Sequence, residues 1–508
     1  MNIGRYLDRA ANRSPNAPAV KIGETDLFSY HEFASRVASL AGFLANLGIA
    51  PGDRVAMFMN NSFEFLEILQ AIFRCGAAAV PVNAKLHASE LAAILETAEP
   101  KLLFVDAKTA EVAAIASGAL ERPPATIDVT SKCYARALVS PAKSLVERTG
   151  DDLAWLFFTS GTTGRSKGAM LTHRNLTLMG LSYLLEVNAV ASTDSLLHAA
   201  PMSHGSGMYI LPHIMRDAAQ IVCEQPSFNG PEIVAICSQS QGVSMFAAPT
   251  MLHRLVRLAS NATTDIDALR RGLRQITYGG GPMLLSGARS ASAVFGSRLA
   301  QIYGQGECPM TISRLQSLAF GTAETADSDQ LLSSVGQPFD LVEVAIDQAT
   351  EPFQTGEILA RSDIVMAGYW QQPEATAETI VDGWLRTGDV GYFDEAGNLH
   401  LADRSKDVII SGGTNIYSRE VEDVLARHPS VEEIAVVGKP SEEWGEEVVA
   451  FIACADGEEM DERELDRFCL THMARFKRPK AYYSIREMPK NAYGKIEKST
   501  LRKFLTSA

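Results

Sequence analysis

The stretch that most restricts how this chain can fold is residues 157–168, which read FFTSGTTGRSKG after a short apolar run typical of a strand end. Glycines let a backbone take positive φ angles and approach a ligand closely. Hydroxyls and free backbone N–H groups donate to phosphate oxygens, and a lysine adds a point charge. A solvated turn needs one or two of these features, not all of them. The stretch predicts a phosphate-binding loop made by Thr159, Ser160, Gly161, Thr162, Thr163, Gly164 and Lys167.

The chain before this loop alternates between strand-like and helix-like segments. We predict helices at 29–48, 62–75 and 88–98 and strands at 52–59, 78–82 and 101–106. Strands that alternate with helices of ten or more residues indicate parallel βαβ units and a layered α/β domain. With 508 residues, the chain is too long for one core and is expected to form about three domains or subdomains. A loop between a strand and the next segment is where open α/β folds bind ligands.

Composition excludes several classes of protein. A hydrophobic share of 46% with 21% charged residues is ordinary for a soluble globular chain, and a net charge of -14 argues against a nucleic-acid binder. The seven cysteines form no CxxC pair, which indicates neither a zinc site nor a disulfide framework and fits a reducing compartment. We see no signal peptide and no run of about 18 apolar residues. The expected location is the cytoplasm, with peripheral membrane contact and a homodimer left open.

The loop is not the ordinary P-loop, which has glycine directly before its lysine; here Ser166 precedes Lys167. Its spacing resembles the phosphate loop of the adenylate-forming enzymes, the superfamily of acyl-CoA and aryl-CoA synthetases, peptide-synthetase adenylation domains and beetle luciferase. Further motifs follow in the family's order through nearly the whole chain. The resemblance implies a large N-terminal domain, 1–402, of layered α/β subdomains plus a β-rich subregion. It also implies a small mobile α+β C-terminal domain, 403–508, with Lys406 as the hinge.

Two motifs belong to the acyl side of the site. PMSHGSG at 201–207 resembles the family's Pro-x-x-His-x-x-Gly segment, whose histidine, here His204, borders the acyl pocket, although a single histidine is more often structural. RQITYGGGP at 274–282 reads as a buried strand with a glycine-rich turn, and the resemblance implies that this turn lies between adenine and the acyl group. The implied ATP contacts are Gly280, Gly281 and Pro282. Small or apolar candidates for the pocket wall are Ser203, Gly205, Met208, Tyr209, Ala247, Ala248, Gly279 and Gly306.

Three motifs belong to the nucleotide side. QIYGQGE at 301–307 resembles Tyr-Gly-x-Thr-Glu, which implies ATP contacts from Tyr303, Gly304, Gln305 and Gly306. Glu307 is the implied Mg²⁺ ligand, since a carboxylate oxygen suits this cation when it is bound with phosphates. Gly306 departs from the family's threonine, which removes a hydroxyl near the α-phosphate and widens the acyl pocket. The TGD at 387–389 implies that Asp389 binds the ribose, and DRSKD at 403–407 implies that Arg404 reaches ribose and phosphate.

The last hundred residues form a separate pattern, with predicted helices at 418–428 and 461–474 and strands at 431–438, 447–455 and 481–486. The resemblance places Gly413 in a pantetheine tunnel and Lys495, from the GK at 494–495, at the reacting carboxylate. FKRPK at 476–480 resembles the stretch with which aryl-CoA ligases hold the nucleotide end of CoA. The implied CoA contacts are Phe476, Arg478 and Lys480, and the alternative is a solvated basic face.

The function implied by the resemblance is an ATP-dependent, AMP-forming carboxylic acid–CoA ligase. A carboxylate attacks the α-phosphate of ATP, and CoA then displaces AMP from the acyl-AMP. The implied catalytic residues are Lys495, Glu307 and His204, with ATP, Mg²⁺, CoA and a small carboxylic acid as ligands. We expect a medium- or long-chain fatty acid first and an aromatic acid second. The alternatives are a ligase that loads a carrier protein, a luciferase-like oxygenase and a catalytically silent nucleotide-binding protein.

Overall fold

The architecture comes from a computed structural model of the chain. It describes residues 1–159, 166–225, 228–259, 265–281, 283–321, 326–404, 406–411, 414–441, 444–455, 460–491 and 494–506. All structural statements concern these residues.

The strands, numbered along the chain, are β1 (Pro18–Ile22), β2 (Thr25–Ser29), β3 (Arg54–Phe58), β4 (Ala78–Val82), β5 (Leu102–Val105), β6 (Ala125–Asp128), β7 (Leu153–Thr159), β8 (Lys167–Thr172), β9 (Ser195–His198), β10 (Ala219–Val222), β11 (Val243–Ala247), β12 (Leu273–Tyr278), β13 (Leu299–Tyr303), β14 (Ser313–Leu315), β15 (Gln337–Pro338), β16 (Glu343–Ile346), β17 (Gly356–Arg361), β18 (Ile380–Val381), β19 (Trp384–Phe393), β20 (Leu399–Arg404), β21 (Ile409–Ser411), β22 (Thr414–Ile416), β23 (Val431–Ser441), β24 (Gly445–Cys454) and β25 (Ala481–Ser484).

The α-helices are α1 (Arg5–Arg13), α2 (Tyr30–Asn46), α3 (Phe63–Arg74), α4 (Ala88–Ala98), α5 (Ala110–Gly118), α6 (Lys132–Ala137), α7 (His173–Ser182), α8 (Gly205–Met208), α9 (Ile210–Met215), α10 (Gly230–Gln239), α11 (Pro249–Ala259), α12 (Ile266–Gly272), α13 (Leu285–Phe295), α14 (Ala326–Ser333), α15 (Pro373–Thr379), α16 (Ser418–Leu425), α17 (Glu462–His472) and α18 (Lys498–Thr506). A π-helical turn, Tyr183–Val187, continues α7, and short 3₁₀ turns lie at Gly296–Arg298 and Ser317–Gly321.

The first layered unit is built on a six-stranded sheet, counted within the described residues, with the order β6-β5-β3-β4-β7-β8. The strands β3 to β7 pair in parallel, and only β8 runs antiparallel to its neighbour β7. The strand β4 reads AAVPV and is buried along its whole length. Such continuous apolar runs are expected where helices cover both faces of a parallel sheet.

The second layered unit carries a nine-stranded sheet, again counted within the described residues, with the order β15-β14-β13-β12-β11-β9-β10-β1-β2. Its centre, from β10 to β13, is parallel. The helix α2 begins after Ser29, whose hydroxyl accepts the Glu32 N–H while the Glu32 carboxylate accepts the Ser29 N–H. This capping box satisfies two backbone donors that the helix leaves free and so fixes where α2 begins.

The remaining strands form two smaller sheets. The strands β16 to β20 make an antiparallel sheet after the second layered unit, and β21 to β25 make the sheet of the C-terminal part, with α16, α17 and α18 packed around it. The fold class predicted from the sequence, layered α/β subdomains with a β-rich subregion and a small α+β C-terminal part, is confirmed. Among the described residues, no helix is both long and apolar enough to cross a bilayer.

The chain passes from the third sheet to the fourth between Arg404 and Ile409, and the exposed Lys406 lies in this connection. The Asp403 carboxylate accepts the Ser418 N–H of α16 at 2.6 Å, whereas the Arg404 guanidinium pairs with Asp389 on β19. Asp403 is therefore bound to the C-terminal part, whereas its neighbour Arg404 is bound to the third sheet. The division that we predict between 402 and 403 falls two residues before the end of β20.

Candidate active site

Three parallel strands of the nine-stranded sheet end at the same edge. Ala247 of β11 lies beside Tyr278 of β12, and Tyr278 lies beside Gln301 of β13. The glycine-rich turn after β12 and the loop after Tyr303 therefore emerge next to each other. This is the edge at which open α/β sheets bind ligands, at the carboxyl ends of the strands.

The turn after β12 requires glycine for two separate reasons. A Cβ on Gly279 would lie 2.5 Å from the Ile302 carbonyl oxygen, so no larger residue fits there. Gly280 has a φ of +77°, in the left-handed region that side chains disfavour. Gly281 follows against Pro249, and Pro282 lies outside the described residues. The turn thus presents bare backbone at the sheet edge.

Asp389 is the centre of the nucleotide side of the cleft. Its Oδ2 accepts hydrogen bonds from the Tyr303 hydroxyl at 2.7 Å and the Gln305 amide at 2.6 Å, and its Oδ1 lies 2.7 Å from Arg404 Nε. Burial and the Asp389 charge hold the pKa of Tyr303 well above its ordinary value, so this hydroxyl remains a donor. An ionised carboxylate has about four lone-pair positions, which leaves room for further donors such as ribose hydroxyls.

The turn that carries Asp389 is fixed by side chains of the third sheet. The Thr387 hydroxyl accepts the Asp389 N–H at 3.1 Å and donates to the Ile358 carbonyl at 2.7 Å. The Glu357 carboxylate accepts the Gly388 N–H at 3.0 Å and pairs with Arg386. Thr387 belongs to the TGD motif, but the positioning contacts of Glu357 and Thr387 come only from the folded arrangement.

Glu307 is the centre of the phosphate side. Its Oε1 accepts hydrogen bonds from the Thr159 hydroxyl at 3.2 Å and the Tyr369 hydroxyl at 2.7 Å, and Lys167 Nζ lies 4.9 Å from the centre of the Tyr369 ring. Burial raises the pKa of Tyr369, and the Glu307 charge adds to this effect. The contact of Tyr369 with Glu307 comes from the folded arrangement, and the sequence motifs assign Tyr369 no role. Ser160, Gly161, Thr162, Thr163 and Gly164 lie outside the described residues.

The donor set around Glu307 suits Mg²⁺. Among the described residues no cluster of three or more His, Cys, Asp or Glu side chains could hold a metal alone. Mg²⁺ is usually bound through one or two carboxylates together with substrate phosphates and water rather than by a full protein cage. A buried carboxylate bonded to Thr159 and to Tyr369, over whose ring Lys167 lies, fits that mode of binding.

Lys495 enters the cleft from the C-terminal part. Its backbone N–H donates to Asn491 Oδ1 at 3.1 Å, and the preceding residue, Gly494, has a φ of +78° and faces Thr250 of the large domain. Lys495 is exposed, yet desolvation by the surrounding protein and the positive charge of Arg404 lower its pKa to about 8.

The negative charges of Asp389 and Glu307 partly oppose this lowering of the Lys495 pKa. The lysine is therefore electrostatically coupled to both carboxylate centres of the cleft. Residues nearly 200 positions apart in the chain, Glu307 and Lys495, therefore interact electrostatically.

His204 lies on the acyl side, directly before α8. Its Nδ1 is 3.0 Å from the Ser203 hydroxyl, and its ring meets the Phe157 ring edge to face at a centroid distance of 5.1 Å. Desolvation, with a smaller effect from the Lys495 charge, lowers the pKa of His204 to about 3. The imidazole is therefore neutral at physiological pH, and its role in catalysis stays a prediction.

Most residues predicted for the acyl wall are packed more deeply than expected. The side chains of Met208, Tyr209 and Ala247 are at most 2% exposed and belong to the apolar cores. Tyr209 stacks on Tyr183 at a centroid distance of 4.1 Å, and a Cβ on Gly205 would lie 2.5 Å from the Phe246 ring. These residues pack in the protein interior. Among the other predicted wall residues, Ala248 is partly accessible, whereas Ser203 and Gly279 are buried.

The predicted CoA residues lie around the connection from α17 to β25. Phe476 is half exposed, and Lys480 is exposed while its backbone N–H donates to the Val448 carbonyl at 2.7 Å. The Arg478 guanidinium is paired with Asp466. Gly413 lies outside the described residues. In this arrangement Arg478 would have to exchange its carboxylate partner before it could bind a phosphate.

Comparison with known proteins agrees with this geometry. The family model described as "AMP-binding enzyme" matches residues 7–370, and the model of the "AMP-binding enzyme C-terminal domain" matches residues 420–495. A feruloyl-CoA synthase of an Amycolatopsis species is 36% identical, over 99% of this chain and 98% of its own. A long-chain-fatty-acid–CoA ligase, FadD13, of Mycobacterium tuberculosis is 33% identical over 99% of this chain and 98% of its own. The ATP-bound crystal structure of MatB from Rhodopseudomonas palustris superimposes with a TM-score of 0.87 at 28% identity and covers 99% of each chain.

The chain belongs to the AMP-binding family of adenylate-forming enzymes. It is an AMP-forming acyl-CoA ligase that uses ATP, with Mg²⁺ and CoA as the ligands typical of the family. The resemblance drawn from the sequence motifs is confirmed.

Proposed function

We propose that this ligase activates a carboxylic acid whose acyl group is a flat aromatic or aryl-substituted chain. The observation that carries this proposal is the pair formed by Phe157 and His204, two rings in edge-to-face contact beside Gly306. Phe157 is partly accessible, so its ring faces the cleft as well as its neighbours. Aromatic rings prefer edge-to-face or offset contacts with one another, which favours a planar acyl group against this wall. The feruloyl-CoA synthase relative supports the same class.

The physical obstacle in the first half-reaction is that two anions must meet. At about 4 Å, two unit charges repel by roughly 4 kcal/mol at an effective dielectric near 20. Lys495 supplies a positive charge between the carboxylate and the α-phosphate, at a position coupled to Asp389 and Glu307. A fixed charge that faces the developing transition state costs no reorganisation during the reaction. Lys495 is therefore the residue that we assign to the adenylation step.

The remaining polar residues bind and orient ATP. Asp389 accepts the ribose hydroxyls while Tyr303 and Gln305 hold its second oxygen. Arg404 bridges this carboxylate and the phosphates, and Lys167 accompanies the leaving pyrophosphate. Mg²⁺, when bound, supplies positive charge at the phosphates, with Glu307 as its protein ligand. Phosphoryl and nucleotidyl transfer depends mainly on such positioning and charge neutralisation.

The second half-reaction needs space for the CoA thiol where Lys495 lies in this arrangement. We propose that the C-terminal domain rotates about Lys406, which removes Lys495 and presents another face to the acyl-AMP. Phe476, Arg478, Lys480 and Gly413 then contact CoA. No dedicated base is required, because a thiolate and a mixed anhydride react readily.

A substrate panel tests the proposal. Pyrophosphate release and CoA thioester formation are measured with benzoate, cinnamate and hydroxycinnamate acids and with straight-chain acids from hexanoate to palmitate. We expect the highest kcat/KM for an aromatic or arylalkenoic acid. The second candidate, supported by the mycobacterial relative, is a medium- or long-chain fatty acid. A higher kcat/KM for a straight-chain acid than for every aromatic acid would overturn the aromatic assignment and leave the CoA ligase activity intact.

A further inference from the structure

Gly306 is enclosed by two side chains of the strand β7. A Cβ added to Gly306 would lie 2.4 Å from Thr159 Cγ2 and 2.6 Å from Phe157 Cδ1. Contacts below about 3 Å between carbon atoms are far inside the optimal separation of roughly 3.5–4.0 Å, so one of the groups would have to move. A side chain at 306 and the observed Phe157 ring therefore exclude each other.

The alternation of β7 brings Phe157 and Thr159 to the same face of the sheet. Successive side chains of a strand point to opposite faces, so residues 157 and 159 face Gly306 while 156 and 158 face the other way. Leu156 and Phe158 are buried in a separate core cluster of the six-stranded sheet. Phe157 is partly accessible, whereas Phe158 is only 5% exposed.

The Phe157 ring also lies near residues that the proposed mechanism assigns to the reacting end of the cleft. It contacts His204 at 5.1 Å, and His204 lies close enough to Lys495 to feel its charge. Thr159, on the same face, donates to Glu307 of the phosphate side. One face of β7 thus joins the acyl wall to the nucleotide site through Gly306.

We infer that Phe157 and Gly306 form a matched pair that sets the width of the acyl cleft and makes Phe157 a specificity-determining residue. The ring occupies the space that a side chain at 306 would fill, so the cleft is shaped by an aromatic wall from β7. The Phe157 ring and the Thr159 methyl together fill the space of the threonine side chain expected at 306. The inference rests on the proposed acid-activating function of this cleft but not on which acid is preferred.

The first test compares two leucine variants of adjacent residues, Phe157→Leu and Phe158→Leu. We expect Phe157→Leu to change the ratio of kcat/KM between narrow acids and acids with bulky groups near the carboxylate by at least about tenfold, as shape changes in apolar pockets do. The KM for ATP should stay within about twofold. Phe158→Leu removes a ring of equal size from the other face of β7. It should therefore lower kcat/KM by the same factor for every acid. Equal effects of the two variants on the acid ratio would overturn the inference.

The second test is a double-mutant cycle, run in a Thr159→Ser background. Serine keeps the hydroxyl that donates to Glu307 and removes the methyl that would meet a Cβ at 306. When Phe157 is present, Gly306→Ala should lower the adenylation rate by at least about tenfold. In the Phe157→Ala variant, the same change should lower the rate by no more than about threefold, since contacting residues are energetically coupled. Additive losses would contradict the pairing.

Thermal melting of every variant in both tests separates a loss of folding from a change in specificity. If the wild-type enzyme prefers straight-chain acids, the aromatic assignment fails, but the coupling between 157 and 306 is still measurable with those acids. The two failures are therefore distinguishable.

Discussion

The ammonium of Lys495 is charged only below a pKa of about 8, because the protein around it and the nearby Arg404 disfavour the charged form. The charged form is the one that offsets the repulsion between carboxylate and phosphate. We therefore expect kcat/KM for adenylation to be level below about pH 8 and to fall about tenfold per pH unit above it, since kcat/KM reports groups of the free enzyme. Pyrophosphate release measured between about pH 6 and pH 10 tests this.

The control for the pH profile is Lys495→Arg. A guanidinium stays charged throughout this range, so the inflection near pH 8 should disappear even if the rate is lower. An unchanged inflection in this variant would assign the titration to another group.

Removal of the Lys495 charge should affect the two half-reactions differently. Lys495→Ala is expected to lower adenylation by at least about a hundredfold, typical of the loss of one group that stabilises transition-state charge. Thioester formation from supplied acyl-AMP and CoA should stay within about threefold, since that step needs the space that Lys495 occupies. Rates of both half-reactions, measured by pyrophosphate release and by thiol consumption, give the comparison. An equal loss in both would count against the assigned role.

The Asp389 carboxylate is predicted to hold the ribose, and Asp389→Ala tests this contact. The change removes the acceptor of any ribose hydroxyls and leaves Tyr303 and Arg404 without the partner that they have here. We expect the KM for ATP to rise at least about tenfold, since hydrogen bonds to a charged group contribute about 1.5–3 kcal/mol. The KM for the carboxylic acid should change far less. Steady-state kinetics with an unaltered dependence on ATP would refute the ribose assignment.

For individual residues, the sequence predicts those whose chemistry is specific, but it does not predict those that act through their shape. Glu307, Asp389, Arg404 and Lys495 stand in motifs of charged residues and glycines, so they could be predicted. Phe157 could not, because an apolar residue at a strand end reads as core. Its contact with His204 arises only when β7 is placed against the segment before α8.

Among the elements, α16 connects the C-terminal part to the large domain. Arg419 at its start donates to the Met283 carbonyl at 2.9 Å, and Leu284 of the same segment packs against the C-terminal core. Nearby, Arg257 of α11 pairs with Glu432 at 3.0 Å, with side chains 72% and 43% exposed. The first contact is partly buried and the second is open to solvent, so their contributions to docking should differ.

We expect Arg419→Ala to lower adenylation by about tenfold, because a partly buried charged hydrogen bond contributes about 1.5–3 kcal/mol to the docked arrangement. Arg257→Ala is the matched control and should change the rate by less than about twofold, since exposed ion pairs contribute roughly 0–1 kcal/mol. Thioester formation from supplied acyl-AMP should be spared in both. Equal effects of the two variants on adenylation, with melting temperatures preserved, would rule out a docking role for α16.

Most elements could be predicted because their periodicity is local. The strand β4 was expected at 78–82 and the helix α4 at 88–98, with the observed bounds, and α3 and β5 differ by only one residue at each end. The hairpin of β1 and β2 was not predicted. Its first strand pairs in parallel with β10, about 200 residues later, so its place in the nine-stranded sheet depends on a partner that no local pattern indicates. The π-helical turn after α7 was likewise missed.

For the molecule as a whole, the net charge of -14 contrasts with the cations gathered where anionic substrates must bind. Lys167 comes from β8 of the large domain, and Arg404 comes from β20, the last strand before the connection. Lys495 comes from the C-terminal part. In the proposed mechanism, Lys495 is the one of these three cations that leaves the site when the C-terminal domain rotates. The proposed mechanism therefore depends on the connection between Arg404 and Ile409, and in particular on Lys406.

Lys406→Pro tests this dependence. Proline fixes φ near −65°, so a connection that must change its backbone angles between the two half-reactions would be held in one state. Asp407 pairs with Arg502 of α18, which ties the segment after residue 406 to the C-terminal part. The Asp407 and Val408 N–H groups donate to the Arg404 carbonyl across residue 406. If proline preserves the arrangement seen here, adenylation should stay within about threefold, while thioester formation from supplied acyl-AMP should fall by at least about a hundredfold, as expected when a required conformational step is blocked.

Lys406→Ala is the control for Lys406→Pro, because it removes the same side chain and leaves φ free. It should retain both half-reactions, which would assign the effect of proline to the backbone. Full thioester formation by Lys406→Pro would show that the rotation does not use this residue, and equal loss in the alanine variant would assign the effect to the lysine side chain. Either result would require a different account of how the thiol reaches the acyl-AMP while Lys495 stays close enough to Asp389 and Glu307 to interact with their charges.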